Sequence, residues 1–153
     1  MIPGANLIRE ARRFLGCPYV WQGKGKSLWT PRGLVLHAWV GQVFDCSGLV
    51  ACALKLAGGP DVRATHSAQT MFDAFPTAVE GELPGTLRFY GKDRQHVTHV
   101  AIGTGTRDGY AWVIEAAGGD HTTTSPVIAA NRRACVREGR ELRSDYLGSR
   151  VAP

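Results

Sequence analysis

The clearest periodicity in the chain begins at Cys46. Leu49, Val50, Ala53, Leu54 and Ala57 follow at i+3, i+4, i+7, i+8 and i+11, the spacing of one inward helical face. Asp45 is a good N-cap before this run and Gly58-Gly59-Pro60 a stop after it. A second helical stripe, Leu7, Ile8, Ala11, Phe14 and Leu15, predicts a helix over 5–15, with Arg9, Glu10, Arg12 and Arg13 outside and Gly16 ending it. A third, short helix runs through Gln69, Met71, Phe72 and Phe75, capped by Thr65 or Ser67. Beyond Leu83-Pro84-Gly85, a turn, the pattern changes to strands at 86–90, 98–103 and 110–116, with later ones at 125–129 and 134–137. Residues 24–43 are least legible: Lys24-Gly25-Lys26 and Thr30-Pro31-Arg32-Gly33 are turn-like, and 34–43 suits a strand pair or a helix. Helices first and a mostly antiparallel meander afterwards predict an α+β fold.

Composition adds limits. A chain of 153 residues, 44% hydrophobic, supports one domain over 1–153 with a core of its own. The net charge of +5 suits an anionic partner, although the series Arg132-Arg133, Arg137, Arg140, Arg143 equally suits a solvated surface. No recognised nucleic-acid motif accompanies the charge, no apolar run reaches membrane-spanning length, and the N-terminus does not read as a signal peptide. Cys17, Cys46, Cys52 and Cys135 form no C-x-x-C pair, which argues against structural zinc. Six helical residues span ~9 Å, too far for Cys46 and Cys52 to join, so the chain reads as a reduced protein.

That leaves one thiol in a special place. Cys46 falls in the first turn of its helix, where free backbone N–H groups and the helix dipole favour a negative charge and hence a nucleophile. A thiolate needs an imidazole, and five histidines compete: His37, His66, His96, His99 and His121. His96 and His99 flank one strand and point to opposite faces. His99 is favoured, because Ala101 and Gly103 on its face leave room for a helix end. Glu115 interrupts the apolar run Trp112–Ala117, where a carboxylate is costly without a partner. With Gly105–Gly109 as a five-residue hairpin loop, Thr104 pairs with Tyr110 and His99 comes to lie opposite Glu115.

Phe44-Asp45-Cys46-Ser47-Gly48-Leu49-Val50 resembles the nucleophile motif of the NlpC-type cell-wall cysteine peptidases. Tyr19-Val20-Trp21, Ser67-Ala68-Gln69, Leu83-Pro84-Gly85-Thr86-Leu87 and His99-Val100-Ala101-Ile102-Gly103 resemble further elements of that family in the same order. The resemblance implies a papain-like α+β fold and a peptidoglycan hydrolase that cleaves a stem-peptide amide, at the bond from D-glutamate to the diamino acid. By position it makes Cys46 the nucleophile, His99 the base and Glu115 the polar third member. Tyr19 would help bind the oxyanion with a backbone N–H of the Cys46 helix. Asp45 and Ser47 would line the substrate side, where relatives hold a peptide amine, with Trp21 beside them. No metal or organic cofactor is implied. The substrate is peptidoglycan or a muropeptide, and nucleic acid is not expected as a partner.

Three departures stand out: Thr86 replaces the family's usual Asp, residues 24–43 look like an insertion beside the active site carrying Trp29, His37 and Trp39, and no wall-binding repeat is attached. The expected picture is a monomer made in the cytoplasm and delivered to the wall by lysis, a phage particle or a secretion apparatus. Two rivals remain: an amidase or acyltransferase using the same three residues, and a non-catalytic wall-binding module.

Overall fold

The computed structural model describes residues 1–28, 41–75 and 77–153. Helix α1 (Gly4–Arg12) buries Leu7, Ile8 and Ala11. It stops a turn earlier than its stripe predicts. Tight bonds from Phe14 N to Ala11 O and from Cys17 N to Phe14 O bring the chain round to Gly16, at φ +85°. Leu15 therefore faces solvent, 44% exposed, instead of completing the stripe.

Strands β1 (Lys26–Leu28) and β2 (Gly41–Val43) form an antiparallel pair on either side of 29–40. Trp29, His37 and Trp39, and with them much of the expected insertion, lie outside the described residues. Helix α2 (Cys46–Leu56) is more central than one apolar stripe suggests, since every residue from Ser47 to Leu54 is buried. One side meets α1 and the other meets the sheet. Its small residues make this possible: Gly48, Ala51, Cys52 and Ala53 let neighbouring backbone approach closely. The expected stop holds, with Gly58 at φ +92°. Helix α3 (Ala68–Ala74) takes Ser67, not Thr65, as its cap, in a reciprocal box with Thr70.

Six antiparallel strands follow, β3 (Ala78–Val79), β4 (Leu87–Gly91), β5 (Val97–Arg107), β6 (Tyr110–Ala117), β7 (Cys135–Arg140) and β8 (Tyr146–Arg150), in the order β3-β8-β4-β5-β6-β7. The expected strand at 125–129 is instead helix α4 (Pro126–Arg132): Ser125 accepts from Ile128 N at 3.3 Å and Pro126 begins the first turn. β3 and β8 have no counterpart in the sequence pattern. β8 is short and contains Gly148, so its place beside β4 follows from the sheet edge available to it rather than from alternation.

The β5–β6 hairpin corrects the predicted register. Its loop is only Asp108-Gly109, with Arg107 opposite Tyr110, and a bulge near Thr104 takes up one residue before Ile102 pairs with Ile114. Continuing that count sets His99 against Ala117, two positions from Glu115. A slip of two preserves the face, so His99 and Glu115 still share one side of the sheet and meet diagonally.

That side is not the one assumed. Val100, Ile102 and Ile114 join the main core with α1 and α2, whereas Ala101 joins Tyr90 and Val113 in a smaller cluster. Strand alternation places His99 and Glu115 on the latter face. The space left by Ala101 and Gly103 is taken by Arg88, which sits opposite Ala101 and whose Cδ would lie 3.3 Å from a Gly103 Cβ. Arg88 is buried, donates hydrogen bonds to both carboxylate oxygens of Glu141 and makes a further ion pair with Glu82.

Candidate active site

Asp45 closes the start of α2: its Oδ1 accepts from Gly48 N at 2.6 Å and from Ser47 Oγ at 3.3 Å. Gly48 is required by its surroundings, because a Cβ there would stand 2.7 Å from Lys24 Cα and 2.8 Å from Asp45 Oδ1. Cys46 Sγ lies 3.9 Å from the carbonyl of Thr98, which places the thiol beside the start of β5.

Tyr19 is set by backbone bonds on both sides. Its N–H donates to Ala134 O at 3.0 Å, Val20 N donates to Phe44 O at 3.0 Å, and Phe44 N donates to Pro18 O at 3.1 Å. The segment therefore ties the entrance of α2 to the start of β7. Burial pushes the Tyr19 phenol up, with Cys46, Asp45 and Asp120 adding to the shift, so Tyr19 stays a neutral O–H donor. Its ring packs on Gly119, where a Cβ would stand 2.1 Å from Cδ1.

His99 Nε2 lies 2.7 Å from Glu115 Oε2, and both side chains are buried. Burial alone would lower the imidazole, but Cys46 and Glu115 outweigh it and lift His99 to about 9. Burial would also raise Glu115, but His99 and Arg137 hold it well below the usual carboxylate range. An ionised Glu115 accepts, so Nε2 carries the proton that it donates and Nδ1 remains for the cleft. The second Glu115 oxygen is occupied as well. Arg137, directly opposite in β7, donates to Oε1 from Nη2 at 2.8 Å and from Nε at 3.2 Å.

Two hollows flank Cys46. One of about 310 Å³ is lined by Tyr19, Cys46, His99, Gly118–His121 and Arg143. The other, about 490 Å³, is lined by Asp45, Cys46, Ser47, Lys24, Arg63 and the 64–68 segment. Trp21, 46% exposed and edge-on to His121 at 6.3 Å, borders both. Six of the seven site residues named from sequence line these two hollows, and the seventh, Glu115, reaches them through its bond to His99. His96 does not: it is exposed, lies in the turn before β5 and bonds Asp93 at 2.7 Å.

Three contributors escaped the sequence reading. Lys24 looked like a turn residue, but its Nζ pairs with Asp45 at 3.3 Å and bonds Ser47 Oγ. Arg137 looked like part of a solvated basic series; only the β6–β7 pairing sets it on Glu115. Gln69 lay in a segment noted for its resemblance, without a role. Its Oε1 accepts from Val97 N at 2.7 Å and its Nε2 donates to Arg94 O at 3.1 Å, which anchors the start of the His99 strand. Thr86 also explains its own departure: its hydroxyl donates to Leu83 O at 2.8 Å and closes the turn.

The NlpC/P60 family model matches residues 16–132. No curated protein matches the chain in sequence. Among solved structures, the NlpC/p60 domain of the peptidoglycan hydrolase SagA aligns at 23% identity and TM-score 0.60, over 97% of this chain and 98% of that one. The peptidoglycan hydrolase RipB of Mycobacterium tuberculosis aligns at 23% and 0.57 over 95% of this chain, which spans only 62% of RipB. RipD of the same organism, a non-catalytic NlpC/p60 domain protein adapted to peptidoglycan binding, aligns at 19% and 0.57, over 97% and 95% of the two chains.

Proposed function

Because the chain belongs to the NlpC/P60 family of peptidoglycan hydrolases, we propose that it is a cysteine endopeptidase cleaving the stem-peptide amide between D-glutamate and the diamino acid. The observation that carries this reading is the convergence on one cavity of Cys46, at the capped start of α2, and His99, which Glu115 holds at 2.7 Å. A wall-binding module has no use for a buried imidazole clamped by a carboxylate beside an accessible thiol.

In the proposed sequence of steps the Cys46 thiolate attacks the amide carbonyl. Tyr19 O–H and a backbone N–H of the first turn of α2 donate to the developing oxyanion. His99, protonated on Nδ1, gives that proton to the departing amine, and the C–N bond breaks to leave a thioester. Water then enters, His99 takes its proton, and hydrolysis releases the acid and the free thiol. Glu115 holds the ring by Nε2–H throughout and stabilises the imidazolium. Arg137 is a positioning residue acting through Glu115.

The test is digestion of purified peptidoglycan of known stem composition, with mass analysis of the fragments. New D-glutamate carboxyl and diamino-acid amino ends are expected. They should vanish with Cys46→Ala and persist with Cys52→Ala and Cys17→Ser, whose thiols are buried elsewhere. A folded protein whose digestion is unaffected by Cys46→Ala, or that yields no fragments while still retaining wall, overturns the peptidase reading in favour of binding.

A further inference from the structure

The larger hollow beside Cys46 has one acid among the described residues that line it, Asp45. A carboxylate only 6% exposed at the edge of a cleft needs a cation. Here the chain supplies one. Lys24 Nζ is 3.3 Å from Asp45 Oδ1, bonds Ser47 Oγ and donates to His66 O at 3.3 Å. Two of the three ammonium donors are thus used by Ser47 and His66, and Asp45 supplies the opposite charge.

Lys24 is also held by its backbone. It sits at φ +49° against Gly48, its carbonyl accepts from Cys52 Sγ at 3.6 Å, and Gly25 N donates to Val43 O at 2.9 Å. The ammonium is thus built into the wall of the cleft. Asp45 and Lys24 cancel one another, and among the described residues the remaining charged side chain lining the hollow is Arg63, itself held by Asp61 at 2.7 Å. An incoming amine finds no unpaired carboxylate among the described residues lining the hollow, and it meets the Lys24 ammonium where its own charge would have to sit.

We infer that Lys24 is a specificity-determining residue whose ammonium fills the cation position beside Cys46, so that the cleft takes stem peptides with an acylated amino terminus and disfavours a free, charged amine. This rests on the peptidase reading and names its substrate class: peptides whose amino end is still joined through an amide, as in intact wall or a muropeptide, rather than released peptides.

The experiment compares two stem peptides that differ only in a free or acetylated amino terminus. The wild-type kcat/KM ratio should favour the acetylated peptide by roughly 10-fold or more, the scale of a like-charge contact. A peptide α-amine loses its proton near pH 8. The preference should therefore shrink as pH rises through that value; dividing by the acetylated peptide cancels ionisations that affect both peptides alike, and the ionisable side chains facing the amine among the described residues are Lys24, Asp45, Cys46, Arg63 and His66. Lys24→Met frees Asp45 and should collapse or invert the ratio. A wild-type ratio at or below one overturns the inference, as does a ratio indifferent to pH or a folded Lys24→Met that leaves it unchanged. If Lys24→Met does not fold, the wild-type pH dependence decides.

Calorimetric binding of both peptides to Cys46→Ala reads the same preference without turnover. Tighter binding of the acetylated peptide, with the wild type cleaving neither peptide, supports this inference while rejecting the peptidase reading. Equal or tighter binding of the free amine, or no binding of the acetylated peptide, rejects the inference itself.

Discussion

Replacing Glu115 by Gln tests the proposed site most sharply, because both carboxylate oxygens are engaged. Oε2 faces His99 Nε2 at 2.7 Å and Oε1 faces Arg137 Nη2 at 2.8 Å, so each end looks at a donor. A Gln amide has one acceptor end only. If its oxygen turns to His99, its NH2 confronts the guanidinium; if it turns to Arg137, the imidazole loses its anchor. Glu115 is 4% exposed, so water does not readily fill in. An unsatisfied buried polar group costs about 1–3 kcal/mol, which at ~1.4 kcal/mol per tenfold is roughly 5- to 150-fold in kcat/KM. The lower part of that range is expected, since the Arg137 side chain is 50% exposed and free to swing outward.

The structure also predicts a rescue. Arg137→Gln replaces the second donor by a side chain with an acceptor. Combined with Glu115→Gln, it lets the new amide on β6 aim its oxygen at His99 and its NH2 at the amide oxygen facing it from β7. The double variant should exceed the product of the two single effects by about 0.5–3 kcal/mol, the usual coupling between residues in contact. Glu115→Ala, which offers no acceptor, should lose roughly 10²-fold or more. The assay is kcat/KM on a defined stem peptide, with melting curves to verify the fold of each variant. Additivity within about 0.5 kcal/mol would refute the competition for Glu115, and a fully active Glu115→Gln would refute its role as anchor.

Two further outcomes follow from the geometry. His99 is raised to about 9 in the folded chain, so its contribution to stability is complete below the unfolded value of about 6.5 and disappears as pH rises through 9. Urea unfolding should show wild type losing stability over that interval relative to His99→Gln; parallel curves would mean that the imidazole is not held as described. Gly48→Ala drives a Cβ into Lys24 Cα at 2.7 Å and should cost about 1–3 kcal/mol by overpacking, with loss of peptidase activity as the start of α2 shifts; an unchanged melting temperature would contradict that contact.

Local pattern and residue chemistry determined the parts that depend on near neighbours. Asp45 before an apolar helical run is enough to place Cys46 in a capped first turn, because capping is decided within four residues. A carboxylate in the run Trp112–Ala117 is enough to demand a partner. The face shared by His99 and Glu115 survived a wrong hairpin loop, since face depends only on odd or even count and the bulge and the shorter loop together shifted it by two. Contacts between distant segments were not legible. Nothing local to Arg137 marks it as the second anchor of Glu115, and nothing local to Lys24 marks it as the counter-ion of Asp45. Both depend on pairings made only when the chain folds: β7 laid beside β6, and the 23–25 turn pressed against Gly48. Ser125-Pro126 carried a helix-start signal that Val127 and Ile128 obscured, and β8 was placed by a free strand edge rather than by its own residues. The tertiary structure alone decided which charges around Cys46 are already spent, because an ion pair depends on distance in space and the sequence records only distance along the chain.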